Sequence, residues 1–123
     1  SMMSEKNINI AKSNILLMGF TFKENCNDTR NTKVYDLYEN LKNFNCKVDV
    51  YDPYVNKDQV ILDYDIQLIE KPKKNNYDAI VLAVKHDEFK KLTENQIRAF
   101  GKVSHVLYDI KYLLKANESD GRL

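Results

Sequence analysis

The chain has 123 residues, 43% of them hydrophobic, and a formal net charge of +1. That length supports one domain around a single core, and lysines interspersed with acids along the whole chain leave no basic face for a nucleic-acid partner. No apolar run is long enough to cross a membrane, and Ser1–Ser13 lacks the apolar core of a secretory signal.

Taken in chain order, Ser1 and Met2 ahead of Met3 read as a cloning scar, and residues 1–12 as that scar plus a linker from an upstream region. Asn14–Gly19 is an apolar run with few polar breaks, the pattern of a strand buried on both faces of a parallel sheet. A polar loop, Phe20–Asn31, follows. Val34, Leu37, Tyr38, Leu41 and Phe44 then recur at helical spacing, which predicts a helix burying that face, with Thr32 or Asn31 as its N-cap. Lys47–Tyr51 alternates like a strand, and Asp52-Pro53 ends it. A short helix is expected near Asn56–Leu62 and a short strand near Ile66–Ile69. After the polar connector Lys71–Asn76 comes Asp78–Val84, the strongest strand pattern in the chain. Phe89, Leu92, Ile97 and Phe100 fit one or two short helices, and His105–Asp109 a final strand. Residues 116–123 are polar and read as a flexible tail.

Strands alternating with helices predict an α/β domain over residues 13–115. It should be a three-layer, Rossmann-like fold with a mostly parallel sheet of about five or six strands. Ligands of such sheets sit beyond the carboxyl ends of the strands. Four polar segments should meet there: Phe20–Asn31, Asp52–Tyr54, Lys85–Glu88 and Asp109–Tyr112. The chain has only three glycines, Gly19, Gly101 and Gly121, so neither a G-x-G-x-x-G turn nor a P-loop can be written.

The loop after the first strand carries the most chemistry. Lys23 and Arg30 bracket it, and the helix beginning near Thr32 offers free N–H groups and the positive end of its dipole. Together they suit a diphosphate without a glycine loop. The alternative is a solvated Lys23 and an Arg30 paired with Asp28. Cys26 lies near Lys23, which lowers a thiol pKa, yet no histidine base is close in sequence. Cys46 reads as a small core residue. Two cysteines without a C-x-x-C pair and two scattered histidines make no disulfide framework and no zinc site, so free thiols in a reducing cytoplasm are expected. His86 sits at the binding edge, open to a ligand or facing-domain contact or to a packing role; His105 reads as core or edge filler. Asp52 and Asp109 each end a strand, where capping the next segment competes with metal binding; no metal site is expected. The tyrosines form no stacking platform for single-stranded nucleic acid.

The run Gly19-Phe-Thr-Phe-Lys-Glu-Asn-Cys-Asn-Asp-Thr-Arg-Asn-Thr-Lys-Val34 resembles the opening of the C-terminal domain of the UDP-glucose/GDP-mannose dehydrogenase family, with its strand, Phe-Lys and Asp-x-Arg. Val50-Tyr-Asp-Pro-Tyr-Val55, Tyr77-Asp-Ala-Ile-Val-Leu-Ala-Val-Lys-His-Asp-Glu-Phe89 and Leu107-Tyr-Asp-Ile-Lys111 agree in the same order. The match runs from Ser13 to Tyr112, and its wording is most similar to the branch that oxidises UDP-N-acetylhexosamines for bacterial polysaccharides.

The resemblance implies a UDP-sugar-binding domain of an NAD-dependent 6-dehydrogenase that converts the sugar C6 hydroxyl to a carboxylate, on UDP-N-acetylhexosamine or UDP-glucose. NAD and the nucleophilic cysteine belong to upstream domains, so no catalytic residue is expected in this chain and alone it should be inactive. Phe22 and Lys23 carry over as substrate contacts, and Arg30 with Asp28, a structural pairing between those two being the other role. The implied partners are the UDP-sugar, the upstream domains and, at full length, a second copy; no nucleic acid or membrane is implied. Some relatives place an arginine before the last strand, where this chain has Gly101-Lys-Val-Ser104. The competing readings are a flavodoxin-like interaction module or a dimerisation domain. A phosphoacceptor would need acids clustered after the first strand, where Gly19–Lys23 stands instead.

Overall fold

A computed structural model describes residues 11–110 and 118–121. Four strands form one sheet: β1 (Asn14–Met18), β2 (Lys47–Tyr51), β3 (Tyr77–Leu82) and β4 (Gly101–Asp109). The helices are α1 (Val34–Asn43), α2 (Lys57–Tyr64), α3 (Asp87–Lys90) and α4 (Glu94–Arg98). The order across the sheet is β2-β1-β3-β4, and every pairing is parallel. β1 therefore lies inside, with Ile15, Leu16, Leu17 and Met18 all buried, as its unbroken apolar sequence requires.

Alternate residues of the strands build two cores. Ile15, Leu17, Val50, Ala79 and Val106 face one way, with Val34 of α1, Val60 of α2 and the buried Ile66 and Leu68. Leu16, Met18, Ile80, Leu82 and Leu107 face the other, with Phe89 of α3 and Ile97 of α4. Burying each such side chain contributes about 1.5–3 kcal/mol, so the period-two pattern alone divides the molecule into three layers.

The α/β, Rossmann-like expectation is met, with two corrections. Among the described residues the sheet has four strands rather than five or six. The missing one is Ile66–Ile69: Ile66 and Leu68 are buried as a strand's alternate residues would be, but the segment makes one bond to the edge of β2, Ile69 N–H to Val50 O at 3.0 Å. Packing is satisfied there without a ladder. The second concerns α1. Its predicted face ends before Phe44, which is 56% exposed, because the helix stops at Asn43 and Asn45 turns left-handed at φ 61°. Thr32 does accept a bond from Val34 N–H, at 3.2 Å, but the residue flanking the helix is Lys33. Residues 118–121, expected in a loose tail, are tied to β4: Asp109 N–H donates to Gly121 O at 2.8 Å and Leu107 N–H to the Asp120 carboxylate at 2.6 Å.

With so few glycines, the left-handed turns fall to other residues, mostly asparagine: Asn25, Asn31, Asn45 and Asn75, with Asp65 and Lys12. Gly19 is the exception that only glycine can fill. Its φ is +103°, and an added Cβ would lie 2.5 Å from Val84 Cβ. This close approach of the β1 exit to the β3 exit sets the geometry of the sheet's carboxyl edge.

Candidate functional site

Three of the four predicted edge segments are joined by hydrogen bonds. Phe20 N–H donates to Asp52 Oδ2 at 2.7 Å, linking the β1 exit to the β2 exit. Asn25 N–H donates to His86 Nδ1 at 2.9 Å, and Asp87 N–H to Asn25 Oδ1 at 2.8 Å, linking the loop to the β3 exit. The fourth segment approaches through Ile110, whose N–H donates to Leu82 O at 3.2 Å; Lys111 and Tyr112 lie outside the described residues.

Beside this edge opens a groove of about 730 Å³ between α1 and the β3–β4 half of the sheet. Val34, Leu37, Leu41, Val81, Tyr108 and Ile110 give it apolar walls. Thr21, Phe22, Lys23 and Glu24 of the loop, Lys33 ahead of α1 and Lys85 after β3 also line it. Phe22 is 58% exposed, an unusual position for so large an apolar ring. Its backbone is held by Phe22 N–H to Asp28 O at 2.7 Å. The Lys23 carbonyl accepts from the Thr21 hydroxyl at 2.7 Å and the Cys26 thiol at 3.2 Å. An exposed aromatic beside a cation, on a backbone pinned at both residues, can hold a base and a phosphate in fixed relation.

Arg30 is not among the groove's lining residues. Its Nε and Nη2 grip Asp28 in a bidentate pair at 3.0 and 3.1 Å, which holds the Asp28 carboxyl below its usual range and raises the guanidinium. The guanidinium side chain is 85% exposed. Asp28 thus acts on Arg30 and on Phe22 through its carbonyl. His86, considered for a ligand contact, has no exposed surface. Its Nε2 lies 2.8 Å from Asp52 Oδ2, and the Tyr54 ring centroid is 4.4 Å from its own. Asp52 is the capping residue expected, its Oδ1 accepting from Tyr54 N–H at 2.9 Å. Cys46 is buried, which pushes its thiol pKa up. His105 bridges Lys102 O and the Arg98 guanidinium at the far end of β4.

Sequence reasoning missed Lys33 as a groove residue and gave Lys85 a place in an edge segment but no ligand role. Their signal was positional: Lys33 precedes the first turn of α1, and Lys85 follows the strand that neighbours β1. It also weighed Asp52 and His86 separately, although they end the two strands that flank β1.

A four-stranded parallel sheet with helices on both faces, and a cationic, part-apolar groove at the carboxyl edge, defines a Rossmann-like nucleotide-binding type of domain. Residues 16–116 match the model of the UDP-glucose/GDP-mannose dehydrogenase family, UDP binding domain, and the chain belongs to that family. It is 48% identical over 121 residues to a UDP-N-acetyl-D-glucosamine 6-dehydrogenase of Salmonella typhi, covering 98% of this chain and 28% of that protein. It is 47% identical over 121 residues to the enzyme of the same name from Pseudomonas aeruginosa, covering 98% and 29%. The chain therefore spans less than a third of these relatives. Its fold overlays that of an NDP-N-acetyl-D-galactosaminuronic acid dehydrogenase from Methanosarcina mazei Go1 with a TM-score of 0.81 at 20% identity, over 95% of this chain and 24% of that one.

Proposed function

We propose that this chain is the UDP-sugar-binding part of an NAD-dependent UDP-sugar 6-dehydrogenase, acting on a UDP-N-acetylhexosamine, and that the groove beside Phe22 and Lys23 takes the nucleotide. The observation that carries the reading is the exposed Phe22 beside Lys23, on a groove that Lys33 and Lys85 also line. Phe22 offers a ring face to the uracil. Lys23, Lys33 and Lys85 offer cations to the diphosphate, next to the N-terminus of α1. Arg30, paired with Asp28 and outside the groove, braces the loop.

The chain's own residues do not suit NAD. A dinucleotide cradle turns directly from a strand into a helix through several glycines. Here the turn after β1 holds one glycine, Gly19, packed against Val84, and α1 begins only at Val34. Hydride transfer and the covalent chemistry are therefore assigned to the remainder of a longer protein.

Titration of the 15N-labelled chain with UDP tests the reading. Shifts should centre on Phe22, Lys23, Lys85 and the first turn of α1. A charge-assisted hydrogen bond contributes roughly 1.5–3 kcal/mol, so Lys23→Ala should weaken UDP about ten- to a hundredfold. Unchanged affinity in that variant, or shifts confined to the opposite end of the sheet, would sink the assignment. With NAD and UDP-N-acetylglucosamine, the chain alone should form no NADH.

A further inference from the structure

Resting on the reading of the Phe22–Lys23 loop as the nucleotide contact, we propose that His86 is the positioning residue of that loop, acting in the tautomer that carries its proton on Nε2. The imidazole has no exposed surface and lies among Thr21, Asn25, Asp52, Tyr54 and Phe89. Its two nitrogens have different duties. Nδ1 accepts the Asn25 backbone N–H at 2.9 Å, so it carries no proton. The proton is therefore on Nε2, which donates to Asp52 Oδ2 at 2.8 Å, with the Thr21 hydroxyl oxygen at 3.3 Å.

Those partners bracket Phe22 and Lys23. On one side, Asp52 Oδ2 accepts the Phe20 N–H as well as the imidazole proton. On the other, Asn25 is held at its N–H by His86, while its Oδ1 accepts the Asp87 N–H. Between them, the Thr21 hydroxyl donates to the Lys23 carbonyl. Asn25 also has a left-handed φ of 58°, a conformation that needs its neighbours to hold it. The ring thus ties both ends of the ligand loop to the ends of β2 and β3. It touches no ligand itself, and Asp52 fixes which nitrogen is left bare for Asn25.

Two amide substitutions separate the duties. His86→Asn can place an acceptor near the position of Nδ1, within reach of Asn25 N–H. His86→Gln can place a donor near the position of Nε2, facing Asp52, and leaves Asn25 N–H without its partner. One unmet donor of this kind is worth about tenfold. The expected result is that His86→Gln weakens UDP binding to the 15N-labelled chain about tenfold or more, and that His86→Asn, which keeps the Asn25 bond but gives up the donor to Asp52, weakens it less. Hydrogen exchange at the Asn25 amide should accelerate in Gln and not in Asn. Equal UDP affinity in both variants, or losses that track melting temperature alone, would overturn the proposal.

Long-range 1H–15N spectra of the unsubstituted chain need no variant. They should show an Nε2-protonated ring, and an Nδ1-protonated or doubly protonated His86 at neutral pH would equally overturn it. If UDP leaves the parent chain unshifted, the nucleotide reading of the loop is what fails. The locking of the loop by His86 is then decided by the tautomer and by Asn25 exchange.

Discussion

Replacing Gly19 with alanine tests the junction on which the carboxyl edge of the sheet is built. Two penalties add at this position. The backbone sits at φ +103°, where an L side chain costs about 1–2 kcal/mol. The new methyl would also lie 2.5 Å from Val84 Cβ, 2.7 Å from Val84 Cγ2 and 2.8 Å from Val84 N, and such overpacking costs about 1–3 kcal/mol. Rotation away from the clash is opposed by the Gly19 N–H bond to Tyr51 O at 2.8 Å. A gain of roughly 0.4–1 kcal/mol from the stiffer unfolded chain offsets part of this. The net loss should be about 1–5 kcal/mol, a large share of the roughly 5–15 kcal/mol that holds a domain together. Urea denaturation monitored by circular dichroism would show it as a lower midpoint at unchanged slope. Val84→Ala in the same chain should not restore the loss, because the nearest atom is Val84 Cβ and the backbone nitrogen stays in place. A loss below about 1 kcal/mol, or full rescue by Val84→Ala, would refute the account of this junction.

Tyr77→Phe should cost about 1–2 kcal/mol at neutral pH by removing the phenol's 2.6 Å hydrogen bond to Asp49; an unchanged denaturation midpoint would count against that bond. Burial, then the Asp49 hydrogen bond, push the Tyr77 phenol far above its ordinary value of 10.0, and Tyr35, Tyr38, Tyr51 and Tyr64 are raised as well. The folded chain therefore keeps protons that the unfolded chain releases above pH 10, so stability complete below that pH should fall as pH rises past it. The fall should be shallower in Tyr77→Phe, and parallel curves would contradict the assignment. Leu41→Ala should cost only about 1–2 kcal/mol, below the roughly 2–5 of an enclosed leucine, because Leu41 lines an open groove; a loss above about 3 kcal/mol in chemical denaturation would mean the groove is filled.

Much of the fold was legible because its central strands are extreme in composition. Ile15–Met18 and Ala79–Leu82 have no polar residue to place on a solvated face, and Lys47–Tyr51 is bounded as its Asp52-Pro53 ending implies. Ile66–Ile69 misled because alternation reports burial, and a buried extended segment need not join a ladder. Phe44 misled for a related reason: helical spacing carries no mark of where a helix ends, and here the helix stops at Asn43, one residue short of Phe44. In the site, the Phe22–Lys23 loop was visible as a polar run after a buried strand. The tie between Asp52 and His86 was not, because nothing local in either residue's surroundings states that β2 and β3 both flank β1. Lys33 was hidden among many lysines, and Lys85 stood out only as the start of an edge segment, until the fold placed both on one groove.

The place of β1 in the sheet also governs how the chain must come together. Of the four strands β1 comes first in the chain yet lies inside, with Asn14 opposite Lys47 on one side and Ile15 opposite Ala79 on the other. Both neighbours are parallel, so each closes only after a long loop has been gathered, a topology that folds slowly. During synthesis Ile15–Met18 leaves the ribosome as an apolar segment with both backbone edges open, and it keeps one edge open until Ala79–Leu82 has followed it out. An unbroken apolar segment is thus the one that waits longest for its partners, and in that interval a neighbouring chain could pair with it.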